Sequence, residues 1–368
     1  MNKIVPIVLL ITFLSIIVIA IIYLSRRFSW VIELDSVRPM YIIFTTLIVG
    51  TFASMIVFVH TTNTLGHIVY STFTMLLGYL LFLLFSLLIT ELANLIFHFK
   101  PMWFGIIAIS LSIFITGYGV INASYIQLKH IKIEISNLDK NYRIVHLSDI
   151  HMGQFRGQRF LGKIIKKTNF ENPDLVLITG DYADSQYALK SEYFSALKDI
   201  KAPVLFVNGN HDKETGDRQI KNLLRQFNVK ILENEIFTFE GLQIVGLNHM
   251  LADSNSVNMH ATKKDQTIKS VLSDMELDKK SVNILMHHSP DGIDYANKAG
   301  INLYLSGHTH AGQFFPVNFI NELIFDYNKG IHKKGCTTII VSQGIGTFGP
   351  PMRIGTHSEI VVIDLLKE

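Results

Sequence analysis

Aspartate, asparagine and histidine recur in five short motifs of this chain: Ser148-Asp149-Ile150-His151, Gly180-Asp181, Gly209-Asn210-His211-Asp212, His287-His288 and Gly307-His308-Thr309-His310. Oxygen and imidazole donors, with no cysteine among them, suit hard or borderline divalent cations rather than a thiolate site. Two such cations about 3.5–4 Å apart can hold a bridging hydroxide and clamp an oxyanion for in-line displacement. Phosphate esters suit that chemistry, because their transition state needs charge stabilisation on its oxygens more than covalent help. Asp181 has two carboxylate oxygens with which to bridge the cations, and Asn210 offers a neutral carbonyl oxygen. His211 is then left to protonate the leaving alkoxide, with Asp212 orienting it. Each motif alone is weak, since a lone Gly-Asp is more often a turn and a lone buried histidine more often packs. Their force lies in occurring together.

Each motif follows a short apolar run, at residues 143–147, 175–179, 204–207, 283–286 and 303–306. Runs of that length, several rich in β-branched residues, read as buried strands. The donors then stand at strand ends, where open α/β sheets bind ligands. The i, i+2 pairs Asp149/His151 and His308/His310 are expected on extended backbone, with both side chains toward one site. Helical spacing covers residues 157–170, 187–200, 217–227 and 291–299, while 230–232, 242–247, 337–341 and 359–365 read as strands without intervening helices. Alternation over 125–135 opens this domain with another strand. Such a mixture fits two packed sheets with helices outside, an α/β architecture. Residues 248–267, including Met250, Leu251, Met259 and His260, are expected to form a cap or apolar rim, or else a surface loop. Cys336 is the only cysteine, which excludes a disulfide framework and a Cys-based zinc site. It is expected to be a small buried residue at a strand start.

Charge divides the chain. Only eight of its 63 Lys, Arg, Asp and Glu residues lie in residues 1–128, whereas 129–368 carries 28 basic and 27 acidic residues. That near balance, without a basic stripe, argues against a nucleic-acid partner. The charge-poor part holds four apolar stretches, at about 4–24, 41–60, 68–90 and 102–121, each long enough to span a bilayer. A soluble bundle would need polar faces at helical spacing, which these stretches lack. The first is too long for a cleaved signal, and no small-residue cleavage site follows it. Arg26, Arg27 and Arg38 in the first loop and Lys100 in the third put those loops in the cytoplasm, and hence both termini outside, although Lys129 and Lys132 oppose this. The expected division is residues 1–124 as a multi-pass membrane region and 125–368 as a catalytic domain on the extracytoplasmic side. Glu91, Asn94 and His98 near the end of the third span are expected at the membrane interface.

The ordered set Asp-x-His, Gly-Asp, Gly-Asn-His-Asp, His, Gly-His-x-His resembles the calcineurin-like metallophosphoesterases, over essentially residue 142 to the end. Ser306-Gly307-His308-Thr309-His310-Ala311-Gly312-Gln313, and Gln343-Gly344-Ile345-Gly346-Thr347 leading to Pro351-Met352-Arg353 and Glu359-Ile360, are similar to its bacterial membrane-associated, YkuE- and YaeI-like branch. The resemblance implies a four-layer sandwich of two mixed β-sheets flanked by helices, here preceded by a four-helix transmembrane region. It also implies a dinuclear centre of Mn, Fe or Zn. Asp149, His151, Asp181 and His310 would hold one ion; Asp181, Asn210, His288 and His308 would hold the other; His211 would be the general acid. The family has one histidine where this chain has His287-His288-Ser289-Pro290. The ligand in this branch stands two residues before the proline, which selects His288, and strand alternation sends only one of the pair to the site.

The expected function is thus a membrane-anchored phosphohydrolase cleaving a phosphoester, most simply a phosphodiester, by attack of a metal-bridging hydroxide. Its partners would be a phosphoester substrate, lipid-linked or from the cell envelope, and membrane lipids. Three other readings compete: a pyrophosphate hydrolase acting on a lipid precursor such as a UDP-2,3-diacylglucosamine, a non-catalytic membrane binding module, and a transporter carrying a regulatory phosphatase-like domain. A binding module would be expected to lack ligands, and none is missing; no span has the paired charges or broken helices of a transport path.

Overall fold

The computed structural model describes residues 4–256 and 266–368. Met259 and His260 therefore lie outside the described residues. The chain forms two compact units, residues 1–121 and 122–368.

In the first unit, α1 (Ile4–Val31), α2 (Arg38–Phe58), α3 (Thr64–Phe97) and α4 (Pro101–Ser124) are long and apolar enough to cross a membrane. Leu24, Phe44, Leu83, Leu87 and Phe104 are among the residues packed at their centre. Helix α3 outruns its apolar stretch at both ends, where side-chain amides meet the backbone. The Asn63 side chain accepts from Gly66 N at the start of α3, and the Asn94 side chain accepts from Phe99 N just beyond its end. Glu91 pairs with Arg27, and Tyr23 donates to it at 3.2 Å. The Arg27 guanidinium also lies 4.0 Å from the rings of both Trp30 and Phe104.

The second unit is the expected two-sheet sandwich. Its elements are β1 (Ile126–Ile135), β2 (Tyr142–Leu147), α5 (Gln158–Phe170), β3 (Leu175–Thr179), β4 (Val204–Val207), α6 (Asn210–Gln226), β5 (Val229–Ile231), β6 (Glu235–Phe239), β7 (Leu242–Gly246), α7 (Ile268–Asp274), β8 (Val282–Met286), α8 (Ile293–Ala299), β9 (Leu303–Ser306), α9 (Val317–Ile324), β10 (Gly330–Lys334), β11 (Thr337–Val341) and β12 (Ser358–Lys367). One sheet runs β1-β12-β2-β3-β4-β5 and the other β10-β11-β9-β8-β7-β6. Leu175 and Leu177 of β3 face Ile284, Met286, Leu303 and Leu305 in the core between the sheets. Val176 and Ile178 alternate to the other side, against Leu161 and Ile164 of α5 and Leu224 of α6. Burial on both faces explains why these strands read as unbroken apolar runs.

Several expectations need correction. Residues 187–200 form three short 3-10 turns rather than a helix. Ser185 caps Tyr187 N there and the Ser195 hydroxyl donates to Glu192 O, so hydroxyls compete with the helical ladder. The next helix starts at Asn210, not 217, because Asp212 accepts from Gly209 N at 2.9 Å, while Gly216 at φ 154° interrupts its period. The strands β6 and β10 and the helices α7 and α9 escaped the sequence reading. Cys336 is exposed rather than buried. Gly335, at φ 57°, turns the chain between β10 and β11, and Cys336 N donates to Asn297 on the surface.

Candidate metal centre

Parallel pairing of β2, β3 and β4 in one sheet and of β8 and β9 in the other brings all five strand ends to one edge of the sandwich. The motif residues do not continue as extended backbone. Asp149 (φ 53°), His151 (φ 51°), Asp181 (φ 50°), His308 (φ 71°) and His310 (φ 48°) are all left-handed. Non-glycine residues are uncommon in that region, where they turn the chain sharply and concentrate at functional sites. The expected i, i+2 alternation of Asp149/His151 and His308/His310 is therefore replaced by a left-handed turn at each of these four residues. The turns interlock: Asp149 N donates to Gly180 O at 3.1 Å and His151 N to Asp181 O at 3.0 Å.

Two pockets of donors result. In one, His151 Nε2 lies 3.0 Å from His310 Nε2 and 3.8 Å from Asp181 Oδ2, and His310 Nε2 is 3.4 Å from Asp149 Oδ1. In the other, His288 Nε2 lies 3.0 Å from Asp181 Oδ2, 3.1 Å from Asn210 Oδ1 and 3.1 Å from His308 Nδ1. Asp181, with both oxygens engaged, stands between them: His211 N donates to its Oδ1 at 2.9 Å. Ligand atoms of Asp149, His151 and His310, of His151, Asp181 and His211, and of Asp181, His288 and His308 form three groups, each within 4.8 Å.

The donor chemistry fits cations. His288 Nδ1 donates to Thr179 O at 2.8 Å, so in the neutral ring Nε2 is a lone pair aimed at carboxylate and amide oxygens. Acceptors facing acceptors in a buried site need a positive charge between them. Burial opposes a proton on His288, but Asp181 and Asp149 push it up to about 9. Burial likewise opposes ionisation of Asp181, yet His288 and His211 hold it well below the usual carboxylate range. His310 is held well below its usual value by burial, aided by His151 and Arg353, which favours a neutral imidazole.

His287 does not join this cluster. Its Nδ1 is 2.7 Å from Ser289 O and its Nε2 accepts from Met250 N, beside buried Tyr304. His211 lies at the rim, its ring 5.0 Å from those of His151 and Phe348. The Asp212 carboxylate receives Gly209 N at 2.9 Å and Ala183 N at 3.1 Å, fixing the loop that carries Asn210 and His211. Burial and nearby Asp181 push Asp212 up to about 7. Met250 and Leu251 are buried rather than rim-forming.

Sequence reasoning missed three supports. Asp184 Oδ2 stands 3.3 Å from His151 Nδ1. Fully buried Arg353 places Nη2 3.1 Å from His310 Nδ1 and donates to the carbonyls of Gln343 and Gly346. His249, three residues past the end of β7, lies ring to ring 5.6 Å from His288 and 6.0 Å from His308. The strand-end rule that found the other motifs would have found His249; nothing local marks Asp184 or assigns Arg353 a partner.

The family model described as calcineurin-like phosphoesterase matches residues 142–312. The chain is 33% identical over 262 residues to an uncharacterized metallophosphoesterase of Campylobacter jejuni, covering 70% of this chain and 68% of that protein. It is 32% identical to one of Helicobacter pylori, covering 65% of this chain and 64% of that one. A transmembrane protein with metallophosphoesterase domain from Danio rerio is 29% identical, with 71% and 62% covered. The match thus spans slightly less than two thirds of the last two relatives. With this likeness carried by the donor-lined edge of a two-sheet sandwich, the chain belongs to the calcineurin-like phosphoesterase family.

Proposed function

We propose that this chain is a membrane-anchored hydrolase that cleaves a phosphodiester with two divalent cations. The observation that carries the reading is the convergence of acceptor atoms on both sides of Asp181. Asp149, His151, Asp181 and His310 would hold one cation, and Asp181, Asn210, His288 and His308 the other. Such a pair, when bound, supplies Lewis acidity and neutralises charge on the phosphoryl oxygens. The donor set accepts manganese, iron or zinc, with availability deciding.

The remaining steps belong to the protein. The Thr179 carbonyl fixes the ring of His288, so its other nitrogen stays aimed inward, and the Asp184 carboxylate stands 3.3 Å from Nδ1 of His151. Asp212 holds the loop from which His211 reaches the rim, and His211 delivers a proton to the departing alkoxide. Phe348 beside His211 offers an apolar wall to the leaving group. Anchoring by the four apolar helices is supported by their length and composition, and an extracytoplasmic domain by the balance of Arg26, Arg27, Arg38 and Lys100.

The full chain in detergent with Mn²⁺ should hydrolyse bis(p-nitrophenyl) phosphate, and Asp181→Asn should reduce this to background while lowering bound metal. Full activity in that variant would sink the mechanism.

A further inference from the structure

The helix α9 is built inside out. Its asparagines face the protein: the Asn321 side chain donates to Thr309 O at 3.0 Å and to Asn328 at 2.6 Å, and Asn318 packs near Gly355. Its apolar residues face away, with Val317, Phe319, Ile320 and Ile324 exposed and Leu323 88% exposed. None of the eight residues is buried. A contiguous apolar surface of this kind marks a contact with something outside the fold.

The connections of α9 indicate what covers it. Phe315, two residues before the helix, pairs its N–H with Ile354 O at 2.9 Å. On the same loop, Asn122 donates to Arg353 O at 3.0 Å and to Thr356 O at 2.9 Å. Asn122 is the first polar residue after the apolar stretch of α4 ends at Ile121. One loop thus ties down both the emerging end of a membrane helix and the start of the exposed helix. Ala123 O accepts from Arg156 at 2.9 Å, just ahead of α5. There a cavity of about 390 Å³ carries Arg156, Arg159 and Lys163, and exposed Arg159, Lys163 and Lys166 fall at i, i+4 and i+7 along α5. Basic side chains beside a membrane exit complement anionic headgroups.

We propose that α9 lies in the surface of the chain's own bilayer, its apolar side among the lipids, with the basic start of α5 on the headgroups nearby. Asn321 holds Thr309, between His308 and His310, so the docked helix is tied directly to the loop that carries two of the proposed ligands. This inference rests on the four helices spanning a bilayer and not on the hydrolytic reaction.

The test uses the full chain carrying Cys336→Ser and Leu323→Cys, labelled with an environment-sensitive fluorophore and reconstituted in phosphatidylcholine–phosphatidylglycerol vesicles. Emission should shift to the blue, and spin-labelled lipid should quench it by roughly half or more, since an interfacial helix sits about 5–10 Å into the headgroup boundary. Water-like emission without quenching overturns the docking, and so does a blue shift that lipid quenchers leave untouched, which would mean that protein covers α9. Protein that fails to float with the vesicles overturns the membrane reading itself. Hydrolysis of the soluble aryl diester by the same sample reports the metal centre separately.

Discussion

Asp181 and His288 show how a residue's role depends on its partners more than on its type. His287 and His288 are neighbours of the same kind, yet His287 is saturated by Ser289 O and Met250 N, while His288 directs a lone pair at Asp181 and Asn210. His288→Ala should therefore lower bound metal, counted by elemental analysis of dialysed protein, whereas His287→Ala should keep it and lose about 2–4 kcal/mol of stability as a buried large-to-small change. Metal loss confined to the His287 variant would reverse the assignment. Strand alternation and the Ser-Pro that follows favour the same histidine from the sequence. Asp184 and Arg353 were not readable in the same way, because each reaches its histidine through folding of segments 33 and 43 residues apart in sequence.

At the level of elements, the site depends on strands that stop abruptly and turn through left-handed residues. The close packing of these turns against one another explains Gly307. A Cβ there would lie 2.0 Å from both Asp149 Oδ2 and the Ser148 hydroxyl, within the turn where His308 N caps Asp149. Gly307→Ala should cost about 1–3 kcal/mol through overpacking and weaken metal retention, read by thermal melts and by metal titration. An unchanged metal affinity would show that the tight approach is incidental. Local propensity located most helices and strands but misread 187–200, where apolar residues at helical spacing pack as 3-10 turns under the serine bonds. Helix α9 escaped because its apolar face points outward and so gave no sign of packing against a core.

Two expectations belong to the whole molecule. His146 is fully buried between the sheets and its neighbours, with Nε2 on the Thr179 hydroxyl, and burial pushes it down to about 3. Its folded value lies below the unfolded one, so the folded state resists a proton that the unfolded chain accepts. Stability from this group is present above about pH 6.5 and is lost as pH falls toward 3, at up to about 1.4 kcal/mol per pH unit. Denaturant melts should show a slope in that direction and His146→Gln should reduce it; an equal slope in both would refute the assignment. Topology across the membrane can be read with the native cysteine. Cys336 is exposed and is the only thiol, so a membrane-impermeant maleimide should label it in intact cells if the domain faces outward. Labelling only after permeabilisation would place the domain inside.

The chemistry was legible in the chain itself, because metal-binding residue types, their order and their place behind apolar runs are local properties. The apolar stretches of 1–121 were legible for the same reason: hydropathy over about 20 residues is a one-dimensional quantity. Folding settled which nitrogen faces which oxygen, that Asp212 caps a loop, that Cys336 sits on a hairpin tip, and that α9 turns its apolar side outward. Each of these depends on backbone turns and on contacts between segments far apart in sequence, and no local pattern encodes a distance across two sheets.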